Sequence, residues 1–239
     1  RMSFTALVAL CPHALTIGCG ETMVEPPPSG PSVAVLGAGN HTIAGVAIEV
    51  IADSTTDLTG PRDLAFDPND PGSLYIVNRN TSVVVLRDTG TPSQSAEFYA
   101  GDNSRHFLAK PAAIAFGQAG LFATAPEEDE ETQPGDPTDF MGPSMWTTDP
   151  ATFDAGFASH MDMLHNSPNS AGIAWERDNV YWVFSGSHAA LTRFDFAEDH
   201  GPGGTDHSDG VVQRFVAGQV AYRPRVPSHM EFVDGLLYV

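Results

Sequence analysis

Four segments of this chain repeat one design: a turn residue, a short apolar run, a polar or glycine turn, and a second run rich in aromatic and β-branched residues. They are GPRDLAFDPNDPGSLYIVN from Gly60, KPAAIAFGQAGLFATA from Lys110, PNSAGIAWERDNVYWVF from Pro168 and VPSHMEFVDGLLYV from Val226. Leu64, Ile114, Ile173 and Met230 fall at matching places, a period of about 50–60 residues, which is the range of propeller blades. Asp70-Pro71-Gly72, Gln118-Ala119-Gly120, Arg177-Asp178-Asn179 and Asp234-Gly235 supply hairpin turns. Runs as apolar as NVYWVF require neighbours that remove them from water. Third strands are expected at Ser82–Leu86 and Leu191–Phe196, and fourth strands at Ala96–Ala100 and Val211–Val216. The expected fold is therefore all-β, a β-propeller of four-stranded antiparallel blades spanning 46–239, with an irregular β-sandwich as the alternative.

Composition narrows the partners. Thirty acidic against eleven basic side chains give a formal charge of −19, a field that repels phosphate backbones and excludes nucleic acid as a partner. The same field suits divalent cations. Cys11 and Cys19 both lie near the N-terminus, so any metal held further along must use His, carboxylate or carbonyl ligands. Among the tryptophans, Trp175 and Trp182 fall on the strand pattern and are expected in the core. No G-x-S-x-G setting surrounds Ser170, Ser185 or Ser228, and Gly37-Ala38-Gly39 lacks the remainder of a dinucleotide fingerprint.

RMSFTALVALCPHALTIGCGE has one Arg ahead of an apolar run and is too short and interrupted to span a bilayer. Residues 1–19 are expected to be an export signal. Leu15-Thr16-Ile17-Gly18-Cys19 resembles a lipoprotein lipobox, with Leu15 one position further from the cysteine than that pattern prefers. The expected location is thus the cell envelope or outside it, with membrane contact only through a lipid on Cys19. Residues 20–45, including Glu25-Pro-Pro-Pro-Ser-Gly-Pro31, form a stiff Pro-rich linker.

The pattern P-x-x-[LI]-A-F-D followed by G-x-L-Y-[IV]-x-[ND] resembles NHL-type β-propeller repeats, over roughly residues 48–239. That resemblance implies a closed ring of six or so blades. Since the chain stops within a strand at Leu236-Leu237-Tyr238-Val239, about four blades and an incomplete ring are expected. The run Pro126-Glu-Glu-Asp-Glu-Glu131 and its continuation to Pro150 are expected as an acidic insertion, 126–150, looping from one rim. Peptidyl-hydroxyglycine lyases are zinc propellers with similar repeats whose metal histidines sit in P-H-[GS]-L motifs. Here Pro227-Ser228-His229-Met230 approaches the motif with its His displaced by one place. Arg62, Ala112 and Ala171 stand at the other equivalent positions, so the three-His set is not reproduced.

Residues just before the inner strands of a propeller converge at the channel mouth, which places Asp63, Ala113, Gly172 and His229 at matching positions. Asp63, His165 and His229 are expected to hold zinc or another first-row divalent ion, with His188 as a further candidate. The glycine-rich run around Asp206 and Asp209 is a candidate loop for calcium or a transition metal, the alternative being a connection whose acids cap turns. His160, Asp162, His200 and His207, read as loop residues, are the acid/base candidates. Two functions follow: a metal-dependent lyase or hydrolase acting on a small molecule, or a non-catalytic surface propeller binding a protein or glycan. A quinone-dependent sugar dehydrogenase shares the architecture but finds no cofactor motif here. Export is checked by Cys19→Ser. A lipoprotein should leave the membrane fraction on this change, and a parent protein never found there would refute the anchor.

Overall fold

The strand faces explain the assembly. A computed structural model describes residues 49–100, 107–118, 120–129, 141–153, 160–226 and 228–239. The export signal and the Pro-rich linker lie outside the described residues. Blade 1 is the meander β1 (Pro61–Asp67), β2 (Asp70–Asn78), β3 (Ser82–Arg87) and β4 (Ser95–Tyr99). Blade 2 is β5 (Pro111–Phe116), β6 (Leu121–Pro126), β7 (Ser144–Thr147) and β8 (His160–Met163). Blade 3 is β9 (Ser170–Arg177), β10 (Val180–Ser185), β11 (Ala190–Asp195) and β12 (Val211–Phe215). A hairpin, β13 (Glu231–Val233) and β14 (Leu236–Tyr238), occupies the place of a fourth inner pair. Every pairing is antiparallel. Inner strands pack in chain order, β1 on β5, β5 on β9 and β9 on β13. The fold is all-β and propeller-like; the described helical elements include a 3-10 turn at Ser54–Thr56 and α1 (Pro150–Phe153).

Side chains alternate across each strand, and in this chain both faces are apolar. On β10, Tyr181 and Val183 face blade 2 and join Ala123, Ala125 and Met145, while Trp182 and Phe184 face the hairpin and Met230. On β2 and β3, Tyr75, Val77, Val83 and Val85 meet Ile114, Phe122 and Trp146 of blade 2, and the alternate residues Leu74, Ile76, Val84 and Leu86 form the opposite face. Sheets stacked in this way must be buried on both sides, so their central strands read as continuous apolar runs and not as alternation.

Three expectations change. Residues 126–150 are not one insertion: Pro126 closes β6, and Ser144–Thr147 is the third strand of blade 2, with Trp146 buried and donating from its indole to Thr124 Oγ1 at 2.9 Å. Residues 130–140 of that stretch lie outside the described residues. The first hairpin turns at Pro68-Asn69, ahead of Asp70-Pro71-Gly72, because Asp67 pairs with Asp70. Trp175 is at the surface, 36% exposed, its indole donating to Asp178 O at 2.8 Å, whereas Trp182 is buried.

Blade 3 is also tied through a polar contact. Glu176 of β9 accepts from Trp182 Nε1 at 2.7 Å and from Arg193 Nε at 2.7 Å, joining three strands of one sheet. Hydrogen bonds from the Arg193 guanidinium, with that of Trp182, hold the Glu176 carboxyl below its ordinary range despite partial burial. A depressed folded-state pKa contributes stability above the unfolded value and loses it as pH falls through the folded one. Glu176→Gln should therefore cost about 1.5 kcal/mol at pH 7, with the gap between the two melting temperatures narrowing as pH falls below the ordinary glutamate range. A gap equally wide at pH 3 would contradict the ion-pair account.

Candidate functional site

The outer strand of blade 2 would be an open edge, with carbonyls free to pair with another chain. The connection from β11 to β12 of blade 3 covers it instead. His200 N donates to Met161 O at 3.2 Å, and Gly203 N donates to His160 O at 2.8 Å. This backbone docking carries His200, His207 and Asp209 from blade 3 onto Asp162 of β8.

Asp162 is the centre of the group, its side chain 0% exposed. Its Oδ1 lies 2.5 Å from His207 Nδ1 and also accepts from Met163 N at 2.6 Å. Its Oδ2 is buried without a hydrogen-bond donor among the described residues, and His200 Nδ1, equally lacking a bond, faces it at 3.6 Å. The other nitrogen of His200 stands 3.3 Å from Asp209 Oδ1. His160, buried, stacks on Phe107 with centroids 3.6 Å apart and places Nε2 3.0 Å from Gly204 O. Burial pushes the Asp162 carboxyl above its ordinary range, and the His207 hydrogen bond, the Met163 N–H and the two imidazoles offset this only in part. A carboxyl raised in the folded state costs stability as pH climbs past its unfolded value, unless a cation compensates the buried charge.

The distances have a chemical reading. Two ligand atoms each ~2.1 Å from a tetrahedral ion are roughly 3.4 Å apart. The Oδ2 to Nδ1 gap of 3.6 Å is close to that value and too long for a hydrogen bond. Asp162, His200 and His207 form a group whose ligating atoms lie within 4.8 Å of one another. Its donor set, one carboxylate and two imidazoles, is that of a first-row divalent metal site.

All four acid/base candidates, His160, Asp162, His200 and His207, come together here, although His160 and Asp162 are strand residues and not loop residues. The six residues expected to bind metal do not converge. Asp63 Oδ2 accepts from Ile114 N at 3.0 Å, strapping β1 to β5, and its Oδ1 accepts from Leu64 N at 2.9 Å. Burial raises the Asp63 carboxyl, countered by those two N–H groups and by the charge of His229. His229 is exposed, with Nε2 3.0 Å from Glu231 Oε1. At the third matching position Gly172 lines no channel mouth, since a Cβ there would stand 2.8 Å from Ser228 O and 3.1 Å from Met230 Cγ. His165 follows β8, and His188 sits in the turn between β10 and β11, its carbonyl accepting from Gly218 N at 3.1 Å. Asp206 is exposed and caps its own turn, accepting from Ser208 N at 3.0 Å and Oγ at 2.7 Å, which holds its carboxyl low. Of the six, Asp209 meets the group around Asp162 through His200, and Asp206 lies within electrostatic reach of His200 and His207.

Sequence reasoning missed a second polar centre. Glu127, at the end of β6, lies 2.5 Å from Arg62 Nη2 and 3.3 Å from Arg79 Nε, and accepts from Arg225 N at 2.7 Å. Nearby, Glu128 pairs with Lys110. Buried carboxylates inside an acidic run carry no sequence signature, because the cations of Glu127 come from blade 1 and that of Glu128 from the far end of the β5–β6 hairpin.

No protein-family model matches the chain, and no curated protein does. Among solved structures, an auxiliary nutrient binding protein from Bacteroides thetaiotaomicron overlaps it with a TM-score of 0.48 and 15% identity, over 73% of this chain and 33% of that one. U3-55K overlaps with a TM-score of 0.36 and 9% identity, over 72% of this chain and 57% of that one. The chain thus spans a third of the first and little more than half of the second.

Proposed function

We propose that the chain is a non-catalytic binding propeller of the cell envelope or exterior, and that Asp162, His200 and His207 hold one divalent transition metal, zinc or a similar ion, as a fastening between blades 2 and 3. The observation that supports it is the buried Asp162 Oδ2, without a hydrogen-bond donor among the described residues, facing His200 Nδ1 at 3.6 Å. An ion there would offset the buried charge and fix the β11–β12 connection on the edge it covers. The reading as a metal-dependent lyase or hydrolase has less behind it. The acid/base candidates are the ligand candidates themselves, and His160 is occupied by Phe107 and Gly204. Calcium is the weaker choice of ion, because imidazoles suit softer metals. The NHL-type assignment belongs to the same proposal and rests on the repeated inner-strand pairs. Export rests on the sequence of residues 1–19.

Calorimetric titration of the metal-free full chain with zinc tests the fastening. One ion per chain is expected, with a raised melting temperature. Asp162→Asn or His200→Ala should lower affinity at least tenfold, in the manner of a lost ligand, while His229→Ala leaves it unchanged. Binding should fade below about pH 6, where imidazoles protonate. Unchanged affinity in the first two variants, or loss in His229→Ala, would overturn the assignment.

A further inference from the structure

The chain carries only eleven basic side chains against thirty acidic ones, yet three arginines gather at one place. Arg62 at the start of β1, Arg79 just after β2, and Arg225 ahead of the β13 hairpin line a cleft of about 410 Å3 together with Gly60 and Pro61. These come from three separate stretches of chain, brought together by the packing of successive inner strands.

Glu127 organises the cluster without neutralising it. Its Oε2 takes Arg62 Nη2 and Arg79 Nε, and its Oε1 takes the backbone N–H of Arg225. The same arginine's carbonyl accepts from Arg62 Nη1 at 3.3 Å, so the backbone of Arg225 is fixed in the left-handed region, at φ 67°, by contacts on both sides. Its guanidinium makes no ion pair among the described residues and is exposed to the cleft. Arg62 Nε is buried without a hydrogen-bond acceptor among the described residues. Among the described residues Glu127 is the carboxylate paired with these guanidiniums. Asp129 lies in the same electrostatic neighbourhood, around Tyr222, but is engaged by Asn169 Nδ2 at 3.2 Å, so a local excess of positive charge remains in a molecule whose formal charge is −19.

Stability alone gives little reason for that excess. Each unpaired guanidinium beside another raises the local energy, and a second carboxylate would relieve it. Planar guanidiniums around a cleft, those of Arg62 and Arg79 held by Glu127 and that of Arg225 tethered only at its backbone, are instead suited to bidentate contact with an oxyanion. We infer that this cleft binds a small molecule through a doubly charged oxyanion, a phosphate or sulfate group, clamped by Arg62, Arg79 and Arg225. The overall charge keeps polyanions such as nucleic acid away and leaves a small ligand as the occupant. This site is separate from the Asp162 group, and either assignment can fail while the other stands.

The test uses the full chain, treated with a chelator so that the metal site is empty, and inorganic phosphate and inorganic sulfate as probes at constant ionic strength set with chloride. Phosphate or sulfate should bind with one site per chain, and a dicarboxylate such as succinate more weakly. Arg225→Gln should weaken binding about tenfold, without a change in melting temperature, since only the backbone of Arg225 takes part in the Glu127 contacts. Arg79→Gln should weaken binding by a similar factor while also lowering the melting temperature, since its side chain contacts Glu127, and Asp162→Asn should leave binding intact. No binding above that of chloride, or equal binding in Arg79→Gln and Arg225→Gln, would overturn the inference. Tighter binding of succinate than of phosphate would also overturn it, by moving the ligand class to dicarboxylates.

Discussion

Everything in this fold depends on burying both faces of every central sheet. A single four-stranded meander with Tyr181 and Val183 on one side and Trp182 and Phe184 on the other has no stable existence in water. It requires a sheet against each face, and each neighbour has the same need. The repetition of one apolar strand pair therefore produces a fan of blades. That stacking fixes where all the polar groups end up: near the ends of inner strands, in the turns, and along the outer edges.

The outer edges are where the chain departs from repetition. Blade 2 ends in β8, whose carbonyls would otherwise be open for pairing, and the long connection within blade 3 closes it with backbone hydrogen bonds. The same docking seals Asp162 away from water beside two imidazoles. A buried carboxylate is costly by itself, and the fold places the groups that can lower that cost, or a cation they bind, on the loop that buries it. At the arginine cleft the order is reversed, with cations predominating around one buried carboxylate. An acidic protein thus keeps two polar centres of opposite character, a carboxylate among imidazoles at one and arginines around a carboxylate at the other.

What could be read in the sequence was what is local. Strand pairs such as β9 and β10 announce themselves by continuous apolarity, and Asp178-Asn179 and Asp234-Gly235 announce their turns. Strands β7 and β8 were hidden, because HMDM carries His160 and Asp162 on a strand whose polar partners lie some forty residues on, in another blade. The acidic run from Glu127 looked like solvated loop for the same reason, since Arg62, Arg79 and Lys110 are distant in sequence. Residues of the candidate site were legible as a His and Asp concentration, but not their roles. Counting back from inner strands brought Asp63 within electrostatic reach of His229. It could not foresee that the N–H groups of Ile114 and Leu64 occupy the Asp63 carboxylate.

The central claim is that a metal belongs at the seam between blades 2 and 3 and not at the ends of the inner strands. Anomalous diffraction at the zinc edge, from crystals grown with that ion, tests it most directly. The account predicts one peak within ~2.0–2.2 Å of a carboxylate oxygen of Asp162 and an imidazole nitrogen of His200, with His207 completing the set. A peak beside Asp63 and His229, or none near Asp162, would contradict it.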